Sequence, residues 1–393
     1  MRANTGFAQM KIRFALDCLL IGICLLAAPL VYLASVPAQE SSAPSPTLKE
    51  AFNGDFRIGA SVNQNQFEGR DKRAAAIIPA QFNTITPEGA LKWEPLHPEP
   101  HRYDFSSADK YVAFGEKYKM WIVGHCLVWH AQTPNWVFEE APGKLVSREV
   151  LLERMHEHIR TVVGRYKGRI AGWDVVNEAL NEDGTLRQSR WMQIIGEDYI
   201  AKAFQFAHEA DPAAELYYND FDLEIPTKRE GAIELIKKLQ AQAIPVKAVG
   251  MQDHVRLKWP SVAEEAATIE AFARLGLKVN ITELDVDVLP PVKKELMADV
   301  AKSIASTPEL NPYVDGLPVG VQQELAKRYA ELFAAFMKHR EVITRVTFWC
   351  VTNGDSWLNN WPVRGRTSYP LLFDRNGQPT SAYASVIRAA LAR

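Results

Sequence analysis

Glu178 and Glu283 each follow a short, strongly apolar run. Trp173-Asp174-Val175-Val176 leads into Asn177 and Glu178, and Val279-Asn280-Ile281 leads into Thr282, Glu283 and Asp285. A carboxylate at the end of a buried run needs a reason, because burying an unpaired charge is costly. Two such groups suit general acid/base chemistry combined with attack by a carboxylate or an activated water. On position alone the pair is either catalytic or a structural ion pair. Other apolar runs end in the same way. His125, Trp129, His130 and Gln132 follow Trp121-Ile122-Val123-Gly124, Asn219 and Asp220 follow Glu215-Leu216-Tyr217-Tyr218, and Gln252, Asp253 and His254 follow Val249-Gly250-Met251.

Other chemistries find less support. There is no GxxxxGK[ST] loop and no GxGxxG after a strand, so no phosphate cradle is expected. A GxSxG nucleophile elbow is also missing. His156-Glu157-His158 begins like a zinc motif, but Arg160 stands where the second histidine should be, and the trio reads as solvated surface. His125 and His130 could in principle ligate zinc, but no carboxylates or cysteines stand at ligand spacing around them, so no metal is expected. Cys126 reads as a small barrel-filling residue rather than a nucleophile. What remains is carboxylates, amides and aromatic rings, a set that suits sugars: acids act on the glycosidic bond and rings stack on the sugar faces.

Short apolar runs must position these groups. Candidate strands are 57–62, 82–86, 121–129, 170–177, 215–219, 246–252, 279–282 and 346–351. Between them lie helical patterns, such as Leu152, Met155, Ile159, Val162, Val163 and Tyr166 after Ser147 as N-cap. Val321, Leu325, Tyr329, Leu332, Phe333 and Phe336 repeat the spacing. Eight strand–helix units predict an α/β fold, a (β/α)8 TIM barrel, with a doubly wound open sheet as the alternative. In a barrel the chemistry sits at the C-terminal ends of the strands, where the polar residues collect.

The composition agrees. The chain has 393 residues, 47% of them hydrophobic and 23% charged, with four cysteines, which excludes a disordered chain and a disulfide-built mini-protein. With 45 basic against 47 acidic residues, nothing points to nucleic acid. Residues 1–38 read as a secretory signal peptide: Lys11 and Arg13 precede the uncharged, mostly apolar stretch Leu19 to Leu33, and Val36-Pro37-Ala38 offers a cleavage site. An uncleaved membrane anchor is the alternative. Residues 39–47 form a flexible leader, and 48–393 form a single catalytic barrel. The expected location is exported, periplasmic or secreted.

Five ordered segments carry a resemblance. They are FNTITPEGALKWEPLHP (82–98), GHCLVWHAQTPNWV (124–137), WDVVNEAL (173–180), VNITELDV (279–286) and VTFWCVTNGDSWLNNWPVRGRTSYPLLFD (346–374). The chain resembles glycoside hydrolase family 10, the endo-β-1,4-xylanases, from about Leu48 to Arg393. The resemblance implies a retaining enzyme without a cofactor that acts on xylan or xylo-oligosaccharides. Glu178 is implied as general acid/base and Glu283 as nucleophile, with carboxyl groups about 5–5.5 Å apart. His254 is implied to bond Glu283, with Asp285 orienting His254. Asn177 is implied on the sugar 2-hydroxyl, and Gln252 near the cleavage point. Glu88, Lys92, His125, Trp129 and Gln132 are implied on the glycone side, and Trp349 and Trp357 as an aromatic wall. For Glu88 and Lys92 the alternative is a mutual i,i+4 salt bridge, and for the tryptophans it is packing.

The sequence departs from the family pattern at Gly89, where Asn is usual, at Phe221 for Tyr, at Cys350 for Gly and at Asn353 for Asp. Gly89 removes a side chain expected to bond the second glycone sugar. A Cys126–Cys350 disulfide is not expected, because strands three apart in the ring stand roughly 12 Å from each other. The remaining expectations are a monomer with no obligate protein partner. The rival functions are a β-1,4-glucanase of mixed specificity and a non-catalytic xylan-binding protein.

Overall fold

Each of the eight apolar runs forms a strand. In a computed structural model, which describes residues 45–292 and 302–392, these are β1 (Arg57–Val62), β2 (Thr84–Pro87), β3 (Trp121–Trp129), β4 (Gly172–Asn177), β5 (Glu215–Asp220), β6 (Ala248–Met251), β7 (Lys278–Asp287) and β8 (Ile343–Phe348). Neighbours pair in parallel from β1 through β7, β8 pairs with β7, and β8 also pairs with β1, Arg57 opposite Arg345, so the sheet closes. The open-sheet alternative is excluded. The signal-segment reading of 1–38 lies outside the described residues, as does the leader up to residue 44. No helix among the described residues is long and apolar enough to cross a membrane.

A main helix follows each strand: α1 (Lys72–Gln81), α2 (Ser106–Lys117), α3 (Arg148–Arg165), α4 (Tyr199–Ala210), α5 (Pro226–Ala241), α6 (Val262–Ala273), α7 (Val319–Lys338) and α8 (Ser381–Leu391). Their starts are set by local chemistry. Asp71 accepts hydrogen bonds from the Arg73 and Ala74 amides, Ser147 from Val150, and Ser261 forms a capping box with Glu264. Strands covered on both faces read as continuous apolar runs; β3 is buried along eight of its nine residues.

Two expectations change. β7 extends past Thr282 to Asp287, because a short strand, His254–Arg256, pairs in parallel with Asp285–Asp287. Glu283 and Asp285 therefore sit within a strand. His158 is fully buried, not solvated: it shares the core face of α3 with Leu151, Met155 and Val162. Its ring stacks 3.6 Å from that of Trp93, and its Nδ1 lies 3.2 Å from His97 Nδ1. Residues two apart on a helix face different sides, and here one of them faces the core.

Candidate active site

β4 ends at Asn177, and the next residue, Glu178, takes a positive φ of 57°. Non-glycine residues rarely sit there, and such conformations persist where neighbours over-determine them. The neighbours are three donors. Trp129 Nε1 donates to Glu178 Oε2 at 2.9 Å, and Gln252 Nε2 and Asn177 Nδ2 donate to Oε1 at 3.1 and 3.2 Å. From behind, the Glu178 amide donates to the Asn219 carbonyl at 2.9 Å.

Glu283 is buried on β7. Asn219 Nδ2 donates to its Oε1 at 2.9 Å, and His254 Nε2 lies 3.3 Å from its Oε2. His254 Nδ1 in turn is 3.1 Å from Asp285 Oδ2, which also accepts from Trp357 Nε1 at 2.6 Å. The contact to Nδ1 is a charge contact without hydrogen-bond alignment. Burial opposes a charge on His254, but Asp285 and then Glu283 outweigh it and hold its pKa up at about 10. His254 is therefore a cation at neutral pH. Burial would also raise the Glu283 carboxyl, but the His254 hydrogen bond, the His125 and His254 charges and Asn219 together hold it below the usual carboxylate range. Glu283 is thus ionised at neutral pH and loses its charge only as pH falls through that lowered pKa.

Asn219 joins the two carboxylates. Its Nδ2 also donates to Asn177 Oδ1 at 2.9 Å, and its Oδ1 accepts from Thr282 Oγ1 at 2.7 Å, which fixes the amide orientation. Gly250 leaves the necessary room: a Cβ there would lie 2.3 Å from Asn219 Oδ1. Asn177 and Asn219 are register partners on adjacent strands, so the bridge follows from barrel pairing.

The residues expected on the glycone side also converge. Lys92 Nζ donates to Gln132 Oε1 at 2.9 Å and lies 4.8 Å from the Trp129 ring centre. No ion pair forms between Lys92 and Glu88, so their mutual salt bridge is set aside. His125 Nδ1 lies 2.9 Å from Asp174 Oδ2, which leaves Nε2 for the cleft. The Trp349 ring meets His125 edge-on at 5.5 Å, and the Trp357 ring lies 4.7 Å from His254. Glu88 is pushed up to about 7 by burial and then by the charge of Asp355, against Cys350, Lys92 and Asn63. Cys126 and Cys350 are free and buried, and burial raises both thiols well above their ordinary value, which makes them poor nucleophiles.

Sequence reasoning did not single out Asn219, Asp174, Thr282 or Trp361 as site residues. Asn219 carried a signal, since it ends a strand level with Asn177. Trp361 carried less; its ring stacks on Trp357 at 4.9 Å and 16° and backs that indole.

A closed barrel whose C-terminal rim holds one carboxylate ionised beside a cation, and a second among neutral donors, belongs with the barrel glycoside hydrolases. The comparisons narrow the class. The model for glycosyl hydrolase family 10 matches residues 47–389, and the chain belongs to that family. It is 44% identical over 343 residues to endo-1,4-beta-xylanase A of Xylanibacter ruminicola, an alignment that covers 87% of this chain and 93% of the relative. It is 40% identical to endo-1,4-beta-xylanase of Geobacillus stearothermophilus, over 87% and 98% of the two chains. Among solved structures, a GH10 endoxylanase retrieved from sugarcane soil metagenome superposes with a TM-score of 0.84 at 47% identity, over 87% and 99% of the chains.

Proposed function

We propose that this chain is a retaining endo-β-1,4-xylanase that hydrolyses xylan and xylo-oligosaccharides by double displacement, with Glu283 as nucleophile and Glu178 as general acid/base. One observation carries the assignment of roles: Glu283 alone faces a histidine cation, whereas Glu178 is ringed by the neutral donors Trp129, Gln252 and Asn177. In the first step a Glu283 oxygen bonds to the anomeric carbon as the bond to the leaving oxygen breaks. Glu178 gives that oxygen its proton. In the second step Glu178 takes a proton from water, the water oxygen bonds to the same carbon, and Glu283 leaves as carboxylate. Two inversions restore the original configuration. No cofactor takes part.

Trp349 and Trp357 form the wall over the reacting sugar. A hydroxymethyl arm on C5 would crowd those indoles, whereas xylose carries none there. Overpacking of that size costs about 1–3 kcal/mol, or roughly 5- to 150-fold in rate. Comparing kcat/KM on aryl xylobioside and aryl cellobioside tests the substrate: the xyloside is expected to lead by at least about fivefold, and a glucoside preference would make the chain a glucanase. Export belongs to the same proposal and rests on residues 1–38 alone; fractionation of cells that make the full chain tests it.

Gly89 bears on glycone affinity. A Cβ at this position would meet nothing within 4 Å, and its φ is not in the left-handed region. Gly89→Asn therefore fits without strain and can offer an amide to the second glycone sugar. One net hydrogen bond of about 0.5–1.5 kcal/mol corresponds to xylotriose binding roughly 2- to 12-fold tighter. Calorimetry with xylotriose checks it; unchanged or weaker binding would mean another group already fills that role.

A further inference from the structure

We propose that Glu224, Asp253 and Glu265 form a site for one structural divalent cation, calcium by ligand type and span, that braces the rim loop carrying Gln252 and His254. The three come from separate elements. Glu224 lies in the loop between β5 and α5, Asp253 between β6 and the short strand at His254, and Glu265 in the first turns of α6. They are 3%, 2% and 0% exposed, and a carboxylate oxygen from each lies within 4.8 Å of the others.

A second observation points to a ligand. Among the described residues, apart from the close approach of the three carboxyls to one another, no donor reaches either oxygen of Asp253, either oxygen of Glu265, or Oε1 of Glu224. Native interiors rarely leave even one buried carboxylate oxygen without a partner. Arg328, whose charge acts on Glu265 and Asp253, spends Nε on the Arg256 carbonyl at 3.1 Å and Nη2 on the Pro260 carbonyl at 2.6 Å. It supplies a field but no hydrogen bond, and three carboxylates beside one guanidinium leave two negative charges. Burial pushes all three carboxyls up, and mutual repulsion adds to this at Glu224 and Asp253. Something positive must enter, either protons or a divalent ion.

The donor set favours the ion. All the ligands are hard oxygens, and calcium takes 6–8 of them at 2.3–2.6 Å, so oxygens on opposite sides of one ion stand about 4.6–5.2 Å apart. Magnesium binds at about 2.0–2.1 Å and prefers to keep its waters, which a dry carboxylate cage does not suit. Asp253 sits between Gln252 and His254 and takes a positive φ of 59°. An ion there would hold that strained residue against α6 and the β5 loop.

The test uses the purified full chain and reads stoichiometry and melting, not turnover, so it is independent of the xylanase assignment. After EDTA and exhaustive dialysis, CaCl2 is added back and bound metal is measured by mass spectrometry and calorimetry. The expected result is one calcium per chain and a Tm raised by roughly 2–8 °C at a hundredfold excess over Kd, with no rise from NaCl at equal ionic strength. Asp253→Asn should abolish both effects. If that variant does not fold, Glu265→Gln, which lies on α6 rather than on the loop of Gln252 and His254, should weaken calcium binding at least about tenfold. No bound calcium at saturating CaCl2, or calcium binding that survives in these variants, overturns the proposal; in the first case shared protons fill the triad.

Discussion

Glu283→Ala is expected to lower kcat on xylan by at least about 10⁴-fold, and azide or formate should restore part of the rate. The loss follows from chemistry rather than collapse. The substitution removes the atom that bonds to the anomeric carbon, but the neighbours keep their partners: Asn219 still donates to Asn177 Oδ1 and accepts from Thr282, and His254 still faces Asp285. The variant should therefore fold and bind xylo-oligosaccharide. The deleted carboxylate leaves room beside a histidine cation, a setting that attracts a small anion. Azide in that space attacks the anomeric carbon from the side Glu283 used, and Glu178 still protonates the leaving oxygen. One inversion instead of two gives an α-xylosyl azide, which proton NMR identifies from the anomeric coupling. Full activity in the variant, or rescue with retained configuration, would remove Glu283 from the nucleophile role.

That pocket was partly legible in the amino-acid order. The eight strands were readable because a barrel buries both faces of each strand, so the apolar runs are continuous and the polar rim follows each of them abruptly. Glu178, Glu283 and His254 stood out for that reason. Other features depend on contacts between elements distant in the chain. Asn219 looks like any strand-end amide until pairing sets it opposite Asn177 and the closed ring brings Glu283 within reach. The length of β7 depends on the short strand His254–Arg256, which lies alongside Asp285–Asp287 only in the folded chain. His158 is buried against expectation because a three-residue motif says nothing about helix phase. Glu224, Asp253 and Glu265 share no ligand spacing, since each comes from a different element, and their burial is visible only in the folded chain.

Glu178→Ala should separate the two carboxylates by their dependence on the leaving group. On xylan the leaving sugar alkoxide is a poor leaving group and needs the proton, so kcat/KM is expected to fall by at least about 10³-fold. On a dinitrophenyl xylobioside the phenolate leaves unaided, and the first step should proceed within about tenfold of the parent rate. The second step then lacks a base to activate water. Glycosyl-enzyme on Glu283 should accumulate, giving a burst of phenolate of about one equivalent followed by slow turnover with a lowered KM. Azide should accelerate that slow phase, because it needs no deprotonation, and the product must be the β-azide, since Glu283 has already inverted the centre once. The two alanine variants thus predict azides of opposite configuration from one substrate. The structure gives a reason to expect this asymmetry: removing Glu178 leaves Trp129 Nε1 and Asn177 Nδ2 without that acceptor, and Gln252 with only Asn177 Oδ1 at 3.3 Å, but does not touch the His254–Asp285 pair that keeps Glu283 charged. Equal losses on xylan and on the dinitrophenyl substrate would mean that Glu178 positions the sugar rather than transferring the proton.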